Sequence, residues 1–289
     1  MVIERALEKM RQATEGSKRP ANRRATDRAA RERAPRPDPA RPKPNFPQIT
    51  PDSGLAEDNR VLLPTSRAMQ DARVGASYRM LRTRLLHKMR SNNWSSLALT
   101  SPGAGEGKSL TALNLSLSVA RERTFDVFLL DLDMRNPSIC NYLGIRPHFE
   151  LQRYFGGDGR PEDALFSIGV EGLAVAGNVT ATDNASELLA TGRLEELIEH
   201  IKTVSANPII LLDLPPVLVT DEALLVGPKV DATALIVAEG RTRRDSLLRA
   251  KQLLADFTFA GVILNRSRET FGSDGYYGYG YHYGEPAKG

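Results

Sequence analysis

The sequence predicts an α/β protein built on a doubly wound, mostly parallel sheet. Three observations carry that prediction. From Arg60 onward, short apolar runs alternate with longer amphipathic segments, the rhythm of strand and helix. The runs Val127–Leu130 and Pro208–Leu212 are apolar at nearly every position, as in strands buried on both faces. A glycine-rich turn, Ser101-Pro-Gly-Ala-Gly-Glu-Gly-Lys108-Ser109, joins one such strand to a helix.

Taken in order, residues 1–15 hold Val2, Ile3, Ala6, Leu7 and Met10 at helical spacing with charges opposite. This amphipathic helix is suited to docking on a partner or a membrane surface and is too short to be stable alone. Residues 16–59 are polar, basic and proline-rich, which predicts an extended linker and a disordered N-terminal arm. The folded domain is placed at 60–268. Within it the patterns predict a helix over Tyr78–Met89, a strand over Trp94–Thr100, a helix over Ser109–Arg121 and a strand over Val127–Leu130. A short strand over Leu173–Ala176, a single helix over Ala185–Val204 and a strand over Pro208–Leu212 follow. Strands over Ala232–Ala238 and Gly261–Leu264 flank a helix over Arg244–Phe257. Residues 269–289, which contain DGYYGYGYHYGEP, are expected to form a disordered, tyrosine-rich tail.

With 289 residues, 41% hydrophobic and 26% charged, the chain can bury a sizeable core. No apolar run approaches the roughly 18 residues that cross a bilayer, and the N-terminus lacks the apolar block of a signal peptide. A lone cysteine, Cys140, excludes an intrachain disulfide framework and fits a reducing cytoplasm. His87, His148, His200 and His282 stand at no metal-ligand spacing, which argues against zinc. The net charge of +4 is concentrated before residue 45, so the arm could touch anionic lipid, nucleic acid or an acidic partner, or simply be solvated.

Chemistry gathers at three strand ends. The turn reads as a phosphate-binding P-loop, because it follows a strand and opens a helix. Gly103, Ala104, Gly105, Glu106 and Gly107 turn backbone N–H groups inward. Lys108 reaches the β- and γ-phosphates of ATP, Ser109 ligates Mg²⁺, and Leu110, next on the helix, completes the expected nucleotide-binding stretch. Pro102 stands where the P-loop pattern has its first glycine. Asp131-Leu-Asp133-Met-Arg135 ends one apolar strand and Asp213-Leu-Pro215 another. In an open parallel sheet these carboxylates face the ligand, where they can hold Mg²⁺ or accept a proton from a hydroxyl. The tail tyrosines Tyr276, Tyr277, Tyr279, Tyr281 and Tyr283 fit a sticky low-complexity tail, a stacking surface, or a flexible array that inserts phenols into an active site.

These residues resemble the bacterial tyrosine kinases of capsule and exopolysaccharide biosynthesis, from roughly Arg67 to the C-terminus. The D-x-D-x-R and D-x-P strand ends match, as do Asn184-Ala-Ser-Glu-Leu-Leu189, Tyr78-Arg79-Met-Leu-Arg82 and Gly261-Val-Ile-Leu-Asn265. The N-terminal IERALEKMR resembles the exosortase-associated subgroup. The resemblance implies a deviant-Walker P-loop fold like that of partitioning ATPases, ATP with Mg²⁺, and autophosphorylation of the tail tyrosines. It implies catalytic roles for Lys108, Asp131, Asp133 and Arg135, with Asp131 activating the tyrosine hydroxyl. It also implies a metal set of Ser109, Asp131, Asp133 and Asp213, and Asn265 beside the adenine. It implies self-association in a ring, a cognate tyrosine phosphatase, and a membrane-bound chain-length regulator as a separate polypeptide. That regulator would hold the protein at the inner face of the plasma membrane, and no nucleic acid is expected. Ala76 replaces the glutamate of the E-x-x-R-x-x-R helix that joins ring neighbours.

Two other functions fit parts of the pattern. A partitioning or positioning ATPase shares the sheet, but it carries a signature lysine where this chain has Gly103 and lacks the tyrosine cluster. A non-catalytic ATP-binding subunit of an export complex would bind ATP without making phosphotyrosine.

Overall fold

The computed structural model describes residues 45–64, 66 and 72–267. Its elements are α1 (Ser53–Asp58), α2 (Ala72–Asn92), β1 (Ser96–Thr100), α3 (Lys108–Ala120), β2 (Asp126–Asp131), α4 (Ile139–Leu143) and α5 (Leu151–Phe155). They continue with β3 (Phe166–Ser167), β4 (Leu173–Ala176), α6 (Ala185–Ala190), α7 (Arg193–Val204), β5 (Pro208–Asp213) and α8 (Glu222–Val226). Then come β6 (Ala232–Ala238), α9 (Arg244–Leu253) and β7 (Phe259–Asn265).

The strands form one sheet in the order β3-β4-β2-β5-β1-β6-β7. All neighbours are parallel except the short β3, which runs antiparallel to β4. From β1 the chain crosses over to β2 on one side, returns through β5, and continues on the other side with β6. The reversal lies at the carboxyl end of β1, where open α/β sheets bind ligands.

Alternation of side chains across the pleat divides the core in two. Leu97, Leu99, Val127, Leu129 and Leu211 pack on the face covered by α1, α2, α3 and α4. Ala98, Phe128, Leu130, Ile210 and Leu212 pack on the face covered by α5, α6, α7, α8 and α9. The central strands β1 and β6 are buried along their whole length, so their apolar runs follow from burial on both faces.

The structure differs from the sequence expectation at three places. The chain is already packed before Arg60: Ile49 N donates to Ser167 O at 2.8 Å, and Ser167 N donates to Pro47 O at 2.9 Å. Asp52 Oδ1 caps α1 at Leu55 N, and Ala56 is fully buried. The single helix expected over Ala185–Val204 is two helices. Thr191 folds its hydroxyl back onto Leu188 O, Lys229 Nζ takes Leu189 O at 2.9 Å, and Gly192 follows. Those competing partners, with a glycine's low helix propensity, end α6 there. Helix α2 also begins earlier than expected and ends on Asn93, whose φ of 57° closes it in the left-handed conformation. The expected N-terminal helix, the linker up to residue 44 and the tyrosine tail lie outside the described residues. Among the described residues no helix is long and apolar enough to cross a membrane.

Candidate active site

Between Thr100 and Lys108 the chain turns sharply from β1 into α3. Gly105 and Gly107 have φ of +73° and +84°, which glycine adopts without steric cost. A side chain on Gly107 would collide with the amide of Asn265. Three consecutive carbonyls of the turn are held from outside. Ala104 O accepts from Arg241 Nη2 at 3.2 Å, Gly105 O from Arg266 Nη2 at 3.0 Å, and Glu106 O from Asn265 Nδ2 at 2.9 Å. Among the described residues, the N–H groups of Ala104, Gly105, Glu106 and Gly107 find no protein acceptor. Satisfied carbonyls and free donors at a helix N-terminus make an anion cradle.

The carboxylates lie beside it. Asp131 and Asp213 end neighbouring parallel strands at paired register positions, so their side chains leave the sheet on one face. Both are fully buried, and Asp133 is nearly so. Lys108 Nζ lies 2.6 Å from Asp133 Oδ2, 3.7 Å from Asp213 Oδ1 and 3.1 Å from Ser109 Oγ. Asp131 Oδ2 accepts from Ser138 N (3.1 Å) and Ile139 N (3.0 Å), so this carboxylate also caps α4.

Electrostatics follows from that crowding. Burial alone would lower the Lys108 ammonium, but Asp213, Asp133 and Asp131 outweigh it and hold the lysine well above its ordinary value. Burial, then the charge of Asp213, pushes Asp131 up to about 8. Asp213 rises to about 6 through burial, with Lys108 pulling the other way. One cation facing three carboxylates leaves the cluster short of positive charge. Asp131 Oδ1 and both Asp213 oxygens are buried without a hydrogen-bond donor.

Those orphan oxygens fit Mg²⁺, which takes one or two carboxylates and keeps waters or phosphate oxygens. They do not make a closed metal site. Among the described residues, no three carboxylate, histidine or cysteine groups stand close enough to chelate an ion unaided. The expected set of Ser109, Asp131, Asp133 and Asp213 therefore needs ligands from outside the chain.

Lys108, Ser109, Asp131, Asp133 and Asp213 are brought together, with Gly103 to Gly107 on the rim. Leu110 is half-buried and packs inward against the core. Arg135 points elsewhere: its Nε donates to Glu222 Oε1 at 2.7 Å, on α8. Asn265, expected beside the adenine, has both ends of its amide engaged, donating to Glu106 O and accepting from Arg266 N at 2.8 Å. Sequence reasoning missed Arg241, Thr242, Arg266 and Glu222. Thr242 Oγ1 donates to the buried Glu106 Oε1 at 2.9 Å and accepts from Ala238 N at 2.8 Å. The only available signal was the basic run Arg241-Thr-Arg-Arg244 just beyond a strand.

No family model matches the chain. Individual proteins do. The tyrosine-protein kinase YwqD of Bacillus subtilis is 28% identical over 204 residues, 70% of this chain and 85% of its own. The tyrosine-protein kinase CpsD of Streptococcus agalactiae is 28% identical over 222 residues, 76% of this chain and 95% of its own. Among solved structures, the kinase domain of the Escherichia coli tyrosine kinase ETK superposes with a TM-score of 0.62 at 26% identity, covering 78% of this chain and 84% of that one. The septum site-determining protein MinD of Pyrococcus horikoshii, complexed with Mg-ADP, shares the fold at 20% identity and a TM-score of 0.50, over 60% of this chain and 72% of its own. By sequence and by structure the chain resembles bacterial tyrosine kinases, on a P-loop fold shared with MinD-type ATPases.

Proposed function

We propose that this chain is an ATP-dependent protein-tyrosine kinase that phosphorylates its own C-terminal tyrosines. The observation that carries the reading is the convergence of Lys108, Asp131, Asp133 and Asp213 beside the phosphate cradle, in a chain similar to named tyrosine kinases. When bound, Mg²⁺ would draw charge from the phosphate oxygens and lower the barrier to moving the γ-phosphoryl group of ATP onto a tyrosine oxygen, with ADP as the leaving group. Ser109 and Asp213 would hold it, Asp213 through water.

The chain's own residues do the rest. Free N–H groups of Ala104 to Gly107 bind the phosphates, and Lys108 exchanges its carboxylate partners for the oxygens of the transferred group. Asp131 presents Oδ1, the oxygen not spent on capping α4, to receive the phenolic proton. Burial and Asp213 keep this carboxyl protonated at neutral pH in the ligand-free chain, and a bound Mg²⁺ would favour the carboxylate form that the step needs. A phenol of ordinary pKa near 10 is protonated at neutral pH, so a carboxylate acceptor is useful. Tyr276, Tyr277, Tyr279, Tyr281 and Tyr283 of a neighbouring copy are the acceptors. Each phosphate adds about −1.5 to −2 charges, so a phosphorylated cluster repels its neighbours and loosens the assembly.

The same reading places the protein in capsule or exopolysaccharide production, regulating polymerisation and export. It would act at the inner face of the membrane with a separate chain-length regulator and be reset by a phosphatase.

Purified protein incubated with Mg·ATP should gain anti-phosphotyrosine signal, and Lys108→Met should abolish it. Signal that persists in Lys108→Met would sink the assignment. ATP binding with no phosphotyrosine in the wild type, even with its membrane partner present, would favour the non-catalytic reading.

A further inference from the structure

The cradle is short of local support. A turn that aims successive N–H groups at a ligand must aim its carbonyls outward, and an unsupported glycine-rich turn has other conformations to visit. Here the three outward carbonyls are occupied in sequence, by donors from two other strands. Arg241 follows β6, while Asn265 and Arg266 end β7, at separations of 137, 159 and 161 residues.

The supports are themselves held. Asn265 Oδ1 accepts from Arg266 N, which fixes the amide so that Nδ2 faces Glu106 O. Arg266 keeps a left-handed φ of 56°, a conformation unfavourable to a non-glycine residue, and its side chain reaches back to the loop. Arg241 packs its guanidinium against Gly105, where any side chain would displace it. One residue further on, Thr242 anchors Glu106 from beneath.

We propose that Arg241, Asn265 and Arg266 are positioning residues. They form a clamp that sets the phosphate loop in its binding conformation before nucleotide arrives, acting as hydrogen-bond donors to its carbonyls rather than as charges on the phosphates. The inference rests on the nucleotide-binding reading of the cradle. It adds that the affinity of this loop is set by the exits of β6 and β7, outside the P-loop motif.

The test compares the full-length wild type with the double variants R241A/R266A and R241Q/R266Q. Three measurements are made on each: ADP affinity by calorimetry with Mg²⁺, conformational exchange of the backbone at residues 103–107 by NMR relaxation without nucleotide, and melting temperature. Loss of two donor bonds should weaken ADP binding about tenfold in the alanine variant and speed exchange of the loop, at a melting temperature close to wild type. Glutamine keeps a donor and removes the charge, so R241Q/R266Q should recover most of both. Equal ADP affinity and exchange in wild type and R241A/R266A would overturn the clamp. So would a glutamine variant as weak as the alanine one, which would make the guanidinium charge the operative feature. Should the wild type bind no ADP, the nucleotide reading fails instead, and loop exchange alone then decides whether the clamp exists.

Discussion

Arg135 Nε donates to Glu222 Oε1 at 2.7 Å, joining the end of the second apolar strand to α8 across 87 residues. The two ends of this bond are not equivalent. Glu222 is 0% exposed with its second oxygen unpartnered, whereas 37% of the Arg135 side chain is open to solvent. Removing the arginine strands a buried carboxylate, and removing the carboxylate leaves an arginine that water can reach. Arg135→Ala should therefore cost about 3 kcal/mol in urea unfolding. Glu222→Gln should cost about 1 kcal/mol. The reverse ranking would show that the pair is not what keeps Glu222 buried.

The buried aspartates make ligand-free stability depend on pH. Asp131 at about 8 and Asp213 at about 6 are both raised, so the folded state keeps protons that the unfolded chain releases near pH 4. Their contribution is most favourable below about pH 4, falls as pH rises to about 8, and is constant beyond. Asp131→Asn cannot ionise and can still cap α4 through its amide oxygen. In EDTA it should melt several degrees above wild type at pH 8.5 and near wild type at pH 4.5. A variant less stable than wild type at pH 8.5 would contradict this.

Thr242 serves a buried carboxylate and a backbone N–H at once. Burial raises the Glu106 carboxyl, and the bond from Thr242 opposes that rise. Thr242→Val should destabilise the protein by about 1–3 kcal/mol at pH 8 and by less as the pH falls toward the ordinary carboxylate range and Glu106 takes up its proton. Thr242→Ser should restore most of the loss. A penalty independent of pH would point to packing instead.

Changing Tyr276, Tyr277, Tyr279, Tyr281 and Tyr283 together to phenylalanine should remove most phosphotyrosine signal while ADP binding stays at the wild-type level. Undiminished signal would place the acceptors elsewhere, and mass spectrometry would locate them.

What could be read from the sequence follows the range of the forces involved. Strands β1, β2, β5 and β6 were legible because burial on both faces leaves apolar residues at nearly every position, as between Ser96 and Thr100 or, with Thr233 the exception, between Ala232 and Ala238. The cradle and its carboxylates were legible because each sits directly after such a strand. The break at Thr191 was read through despite Gly192, because one of the groups that secures it, Lys229, lies 40 residues from the carbonyl it bonds. Glu222, Arg241, Thr242 and Arg266 were missed for the same reason. Polar partners supplied across more than 80 residues leave no period, and a half-exposed arginine resembles any other solvated charge until its acceptor is seen. The packing of Ile49 and Ala56 was hidden by the proline-rich composition just before them.

The order of strands also sets a schedule for synthesis. Strand β1 carries the phosphate loop at its end, yet its two sheet neighbours are β5 and β6, which leave the ribosome more than a hundred residues later. The clamp residues come later still, with Arg266 following the carbonyl it holds by 161 residues. The motif most visible in the first half of the sequence is thus among the last parts to acquire its shape. A nascent chain halted before Ala232 holds every residue of the P-loop and β5 on one side of it, but neither β6 nor any clamp residue, so nucleotide capture should switch on late and abruptly as the chain lengthens.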